Sequence, residues 1–180
     1  FAPLVSEKLR LKRHGPGGRS WYLDETSVKV SGRWSYLYRA IDRGGNLLDS
    51  MLSPRRDRQA ARRFLRRLLA NGLQRPLRLT TDRHPAYAKA VRWVIGRKVT
   101  HRQSQYLNNR MEQSHRPIKQ RCYPMLGFKR FGSASRFCAA FDELRNYLRV
   151  RKAGGERATA SDRRQVFRSK WSALLAELAA

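Results

Sequence analysis

Acidic residues are scarce in this chain, so their positions carry information. Thirteen Asp and Glu stand against forty Lys and Arg in 180 residues. Asp24 lies within an aromatic and β-branched run, Trp-Tyr-Leu-Asp-Glu-Thr, although Asp is depleted from strands and needs a reason to be there. Asp82 ends a short strand-like run at residues 77–81, and Glu112 falls in the first turn or so of a helical stretch at 109–121. If the two strands are neighbours, Asp24 and Asp82 project side by side, and a later helix crossing that edge adds Glu112. Three converging carboxylates repel one another unless a cation sits among them. Oxygen donors with retained waters suit Mg²⁺ or Mn²⁺. Two such ions about 4 Å apart activate a nucleophile and stabilise the leaving oxygen in phosphodiester cleavage.

Each acid also has an ordinary explanation. Asp82 precedes a helix opened by Pro85, the place of an N-cap. Glu112 stands three residues after Asn109, the spacing of a capping-box partner. Asp24 could be an exposed strand residue paired with an Arg. On residue type and spacing alone, these alternatives stay open.

The helix around Glu112 adds a surface. At about 100° per residue, Glu112, Arg116 and Lys119 share one side, and His115 lies between it and the apolar side of Leu107, Met111 and Ile118. His115 is then placed either to touch a metal–water network or a phosphate, or to be a capped, partly buried histidine. Arg116 and Lys119 are candidates to grip DNA, against the alternative of a solvated face. Arg121, Lys129 and Arg130 are further candidates for DNA contact. Pro117 removes a helical hydrogen bond, which predicts a kink or a restart there.

A formal charge of +27 makes the chain repel itself, which calls for a polyanionic partner. Arg far outnumbers Lys, and its planar fork fits phosphate. The basic residues are spread along the chain and not gathered on one apolar-backed helix, so a nucleic acid fits better than a membrane surface. Cys122 and Cys138 lack the close Cys/His pairing of a zinc site and are expected to be reduced, packed thiols. No apolar run approaches a membrane span, and no signal peptide precedes the first strand. The expectation is a cytoplasmic, nucleoid-associated protein with no membrane partner. The chain begins at Phe1 and not at Met, which suits a fragment.

The elements that must position these residues follow from pattern. A short basic helix at residues 3–12 precedes a breaker, His14-Gly15-Pro16-Gly17-Gly18. Strands at 21–30, 33–42 and 47–52 are separated by Ser31-Gly32 and Arg43-Gly44-Gly45-Asn46, which predicts an antiparallel meander. A helix capped by Ser53, with Pro54 at its first position, buries Ala60, Ala61, Phe64, Leu65, Leu68 and Leu69 and stops at Asn71-Gly72. A strand at 77–81, a helix at 85–94 and a strand near 98–100 come next. After the helix carrying Glu112, Ser133 is expected to cap another, with Phe137, Phe141, Leu144 and Leu148 as its stripe. Residues 153–160 read as a linker, and Ser161 as the cap of a last helix holding Val166, Trp171, Leu174, Leu175 and Leu178. Trp21, Trp34, Tyr36 and Tyr38 are expected to be mostly core and not base-stacking platforms. The order predicts an α/β domain, a mixed five-stranded sheet flanked by helices, with the three antiparallel strands first.

These motifs resemble the transposases of insertion sequences of the IS six family. The resemblance lies in residues 24–42 (Asp-Glu-Thr-Ser-Val-Lys-Val-Ser-Gly-Arg-Trp-Ser-Tyr-Leu-Tyr-Arg-Ala-Ile-Asp), 80–87 (Thr-Thr-Asp-Arg-His-Pro-Ala-Tyr) and 101–119, which end in Asn-Arg-Met-Glu-Gln-Ser-His-Arg-Pro-Ile-Lys. Residues 124–131, Pro-Met-Leu-Gly-Phe-Lys-Arg-Phe, match the segment that follows the glutamate helix. The resemblance implies an RNase H-like integrase-type core over residues 20–150, with residues 1–19 as a linker remnant and 151–180 as a linker and C-terminal helix. It implies a DDE triad of Asp24, Asp82 and Glu112 holding Mg²⁺ or Mn²⁺, as two ions. It also implies cleavage at the element's ends, attack of the freed 3′-hydroxyl on target DNA, cointegrate products, and a homodimer or higher oligomer on DNA. Two features depart from the pattern: the interval from Asp82 to Glu112 is short, and the family's N-terminal region for terminal-repeat recognition is absent. The rival readings are an inactive DNA-binding remnant and an RNase H-like nuclease for RNA–DNA hybrids.

Overall fold

Aromatic and β-branched residues alternate through the first long runs. In the computed structural model these runs are strands β1 (Ser20–Val30) and β2 (Arg33–Asp42), followed by β3 (Leu47–Ser53). The structure describes residues 2–12, 18–71, 73–104, 109–150 and 158–179, with the side chains of residues 2, 109, 110, 112 and 179 outside that description. His14, Gly15, Pro16 and Gly17 of the expected breaker, Gly72, Leu107 and most of the expected linker at 153–160 therefore lie outside the described residues. Ser31 and Gly32 both take positive φ, 49° and 74°, the pair of values a two-residue turn needs to match strand twist.

The remaining elements are α2 (Arg58–Ala70), β4 (Arg78–Thr81), α3 (Pro85–Val94), β5 (Thr100–Gln103), α4 (Asn109–Cys122) and α5 (Phe131–Leu148), with α1 (Ala2–Leu11) before the sheet and α6 (Ala160–Ala179) after it. The five strands form one sheet in the order β3-β2-β1-β4-β5. β1–β2 and β2–β3 are antiparallel, whereas β1–β4 and β4–β5 are parallel. This is the mixed sheet expected from sequence, with β1 at its centre. One face buries Trp21, Leu23, Tyr38, Ala40, Leu48 and Leu79 together with residues of α2 and α3.

Several boundaries differ from expectation for local reasons. Asp57, not Ser53, caps α2, its carboxylate accepting the Ala60 N–H at 2.7 Å. Ser53 is held instead in β3, opposite Tyr36, and its hydroxyl donates to the Arg55 carbonyl. β5 lies a few residues later than expected, because pairing with β4 sets it, Arg78 opposite Thr100 and Thr81 opposite Gln103. α5 starts at Phe131, so Ser133 is inside it. Its deepest residues are Ala134, Cys138 and Asp142, with Phe137, Phe141, Leu144 and Leu148 only half-buried. Trp34 is 60% exposed beside the β1–β2 turn, whereas Trp21 and Tyr38 are fully buried.

The chain divides into two compact units, His14–Ala139, and Phe1–Arg13 with Ala140–Ala180. In the second, the Lys8 ammonium donates to the Glu177 carbonyl at 2.6 Å, and Lys12 pairs with the Glu177 carboxylate. Thr159 and Asp162, not Ser161, cap α6 by reciprocal side chain–backbone bonds of 2.7 and 3.1 Å, a capping box. Leu174 is buried, while Phe167, Trp171 and Leu175 remain exposed. No helix among the described residues is long and apolar enough to cross a membrane.

Candidate active site

Asp24 sits in the central strand, directly opposite Arg39 of β2. The parallel register with β4 pairs Trp21 with Leu79 and Tyr22 with Thr80. Asp24 lies two residues beyond Tyr22, and Asp82, the first residue after β4, two beyond Thr80. Alternation puts Trp21, Leu23 and Leu79 on the α2–α3 face, so Tyr22, Asp24 and Thr80 belong to the other face.

That other face receives α4. The Arg39 guanidinium donates to the Ser114 carbonyl, and His115 Nε2 stands 3.6 Å from Asp24 Oδ2. Met111, His115 and Ile118 are all buried, at the i, i+4, i+7 spacing of one helical stripe. His115 is thus buried with its ring beside the Asp24 carboxylate. Arg116, Lys119 and Arg121 of α4 are exposed, as are Lys129 and Arg130 in the segment after it. The helix runs continuously through Pro117. Glu112 belongs to α4, three residues before His115, and its side chain lies outside the described residues.

Both aspartates keep partial access to solvent, 16% for the Asp24 side chain and 25% for Asp82. Asp24 Oδ1 accepts its neighbour's N–H from Glu25 at 2.9 Å. Asp82 Oδ1 accepts the His84 N–H at 3.0 Å, and Oδ2 accepts from Arg56 Nη2 at 3.0 Å. His84, not Asp82, is the N-cap of α3, with Pro85 at the first helical position. Asp82 thus starts the turn without closing the helix.

A second network was not anticipated from sequence. Glu25 points to the opposite face from Asp24 and is 3% exposed. Its two oxygens accept from the Arg56 Nε and from the Tyr87 hydroxyl of α3. Burial pushes the Glu25 carboxyl above its ordinary value, with the Tyr87 and Arg56 hydrogen bonds opposing that rise. Burial works against charge on Arg56 as well, but its hydrogen bond to Glu25 and the charges of Glu25 and Asp82 hold it above its usual range. The Tyr87 phenol is raised by its own burial and by Glu25. Arg56 therefore ties β1 to Asp82, the residue that follows β4. The available signal was period-2 alternation: Glu25 shares a face with Leu23, and an acid on a core-facing position requires buried donors.

Among the described residues, no group of three or more His, Cys, Asp or Glu could hold a metal ion. Asp24 and Asp82 supply two oxygen-donor side chains of the kind hard divalent cations prefer, and the third expected donor is Glu112.

The decisive comparison is with a family model described as a DDE domain, of the IS240 transposase type, which matches residues 18–151. The chain belongs to this DDE family. The resemblance read from sequence is borne out by relatives as well. The transposase for insertion sequence-like element IS431mec of Staphylococcus aureus (strain N315) is 39% identical over 125 residues, 67% of this chain and 55% of that protein. The transposase for insertion sequence element IS257 in transposon Tn4003, also from Staphylococcus aureus, matches with the same identity and coverage. The chain spans about half the length of the curated relatives it matches. Among solved structures, the HTLV-2 integrase catalytic core domain in complex with magnesium (trimeric form) is similar with a TM-score of 0.52 and 16% identity, over 86% of this chain and 99% of that one. A chain of the simian T-cell lymphotropic virus intasome in complex with PP2A regulatory subunit B56 gamma gives a TM-score of 0.55 and 20% identity, over 86% and 56%. These likenesses establish the RNase H-like fold of the DDE domain.

Proposed function

We propose that this DDE domain is the catalytic core of a DNA transposase in which Asp24, Asp82 and Glu112 hold two Mg²⁺ or Mn²⁺ ions. Supporting the reading are two partly open carboxylates, Asp24 in β1 and Asp82 just beyond β4, two residues past the paired Tyr22 and Thr80, with His115 of α4 beside Asp24. Bound ions would supply an activated water and charge stabilisation at the leaving oxygen. The chain's own residues do the positioning. Arg56 holds Asp82 through one oxygen, His115 flanks Asp24, and the exposed Arg116 and Lys119 of α4 grip backbone phosphates. DNA is the substrate: the element's terminal repeats are cut, and the freed 3′-hydroxyl attacks target DNA. Joining two ends requires at least a homodimer on DNA.

The test is Mn²⁺-dependent nicking of duplex DNA by the chain. Nicking by the parent that Asp24→Asn abolishes is the expected result. DNA binding that persists without any nicking by the parent would replace the enzyme with a binding remnant. Preference for an RNA–DNA hybrid over duplex DNA would favour a nuclease of the same fold. Binding itself should weaken roughly 10³–10⁵-fold between about 50 and 200 mM salt if ~6–10 phosphates are neutralised.

A further inference from the structure

The segment joining α4 to α5 leaves large apolar side chains in water. Tyr123 is 76% exposed, Met125 45% and Leu126 89%. Leu126 also takes φ +54°, a conformation that costs about 1–2 kcal/mol for an L-residue with a Cβ. Nothing in its burial compensates that cost. The tip is nevertheless firmly held at both ends. The Leu126 N–H donates to the Tyr123 carbonyl at 3.1 Å, the Phe128 N–H to the Lys29 carbonyl at 2.8 Å, and the Ser31 N–H to the Phe128 carbonyl at 2.6 Å. The Ser31 hydroxyl donates to the Lys129 carbonyl at 2.6 Å. Gly127, at φ +103°, lies so close to β1 that a Cβ would sit 2.8 Å from the Lys29 carbonyl oxygen. Phe128 is buried and packs on Phe137, ring centroids 5.2 Å apart. The fold therefore presents Met125 and Leu126 as a fixed apolar point.

Its surroundings are basic. Exposed Lys119 and Arg121 precede the point, exposed Lys129 and Arg130 follow it, and Lys29 lies in the strand that anchors it. A second copy docked at this point would set exposed Lys and Arg against Lys and Arg. A DNA duplex would neutralise them while offering base steps to an apolar side chain. We propose that Met125 and Leu126 form a wedge that enters between base pairs, with Lys119, Arg121, Lys129 and Arg130 clamping the phosphates on either side. This rests on DNA being the substrate, as argued above, and adds how the duplex is deformed. Such wedges unstack a step and bend the duplex, and flexible pyrimidine–purine steps yield most readily.

The experiment uses the 180-residue chain without divalent metal, so that cleavage plays no part. The probes are two duplexes, one with 2-aminopurine at a central TA step and one with a central A-tract. The variants are Met125→Gln, close in shape, and Leu126→Asn, since Asn tolerates positive φ. The parent should brighten the 2-aminopurine and prefer the TA duplex. Each variant should lose that signal and about tenfold in affinity for the TA duplex while keeping the parent's salt dependence and circular dichroism. Lys129→Ala should do the reverse, lowering the salt slope by about one phosphate contact and keeping the fluorescence signal. Salt-dependent binding by the parent with no 2-aminopurine response would overturn the wedge and leave the DNA-binding reading intact. No binding by the parent would overturn both. Sedimentation showing a dimer that Leu126→Asn dissociates, with no fluorescence response in the parent, would assign the point to a contact between copies instead.

Discussion

Over one face of the sheet, α2 and α3 cover Trp21, Leu23, Tyr38, Ala40 and Leu79, none of which reaches solvent. Over the other, α4 meets a row that includes Asp24 and Arg39, and the acid there keeps 16% of its side chain exposed. Asp24 and Glu25, adjacent in sequence, fall on opposite sides of this divide. Glu25 is closed in by Arg56 and Tyr87 and serves the fold. Asp24 keeps part of its side chain exposed and stands beside His115. The difference teaches that an acid's neighbours in space, and not its position in a motif, decide whether it is committed to structure or available for chemistry.

The comparison breaks most visibly on the packed face. Phe64 is fully buried and its ring lies 5.8 Å from that of Tyr38. Phe64→Ala should cost about 3–5 kcal/mol in urea unfolding, through lost transfer energy and the cavity left behind. A loss under about 1 kcal/mol would mean that this face is not the core.

Arg56→Met comes next, at about 3 kcal/mol at neutral pH, because it strands a buried carboxylate that retains only part of its hydrogen bonding. The Glu25 carboxyl is raised by burial, so its contribution is fully present below its ordinary value and is lost as pH rises through the folded one. Removing Arg56 deepens that loss, so the cost should shrink in acid as Glu25 protonates. Adding Glu25→Gln to Arg56→Met should recover most of the stability at neutral pH. Urea titrations at two pH values check both expectations, and failure of the double variant to recover would point to Arg56 packing and not to its charge.

On the open face the expected effect comes from added metal. If Asp24 helps bind Mn²⁺, the ion should stabilise the parent by about 2.7 kcal/mol at a hundredfold excess over Kd. Asp24→Asn should melt close to the metal-free parent and gain little from Mn²⁺. Equal stabilisation of both proteins would remove Asp24 from the metal site, whatever the nicking assay gave.

Much of the architecture could be read in advance because single residues forced it. Ser31-Gly32 admits a two-residue turn, and Pro85 fixes the start of α3. The six-residue stripe of α2 is buried from Ala60 to Leu68, with Leu69 partly covered. Tertiary pairing was less legible. Ser53-Pro54 carries a good capping pattern, yet β2 claims Ser53 and leaves Asp57 to cap the helix. The pattern predicts a strand near 98–100, but pairing with β4 carries it on through the polar residues 100–103. Asp24 stood out because a strand acid is unusual. Arg56 could not, because one guanidinium among forty basic residues carries no mark until its distances to Glu25 and Asp82 are known.

The smallest effect expected lies at the edge of the sheet, and it separates structural burial from chemistry once more. His101 of β5 is half-buried, with Nε2 2.9 Å from the Thr81 hydroxyl. Burial lowers its pKa, so the folded chain favours the neutral ring while the unfolded chain protonates near the ordinary value of 6.5. The stabilisation from His101 is therefore present above pH 6.5 and is lost as pH falls through the depressed folded value. His101→Gln removes the titrating group and keeps a side chain that can meet Thr81. It should flatten the acid side of the stability profile by less than about 1 kcal/mol, since a half-exposed charge is screened by solvent. Because Thr81 adjoins Asp82, the same variant tests whether the end of β4 transmits strain to the proposed site. Unchanged Mn²⁺ stabilisation would confine His101 to the edge, whereas a lost metal response would show that the Thr81 contact helps aim Asp82.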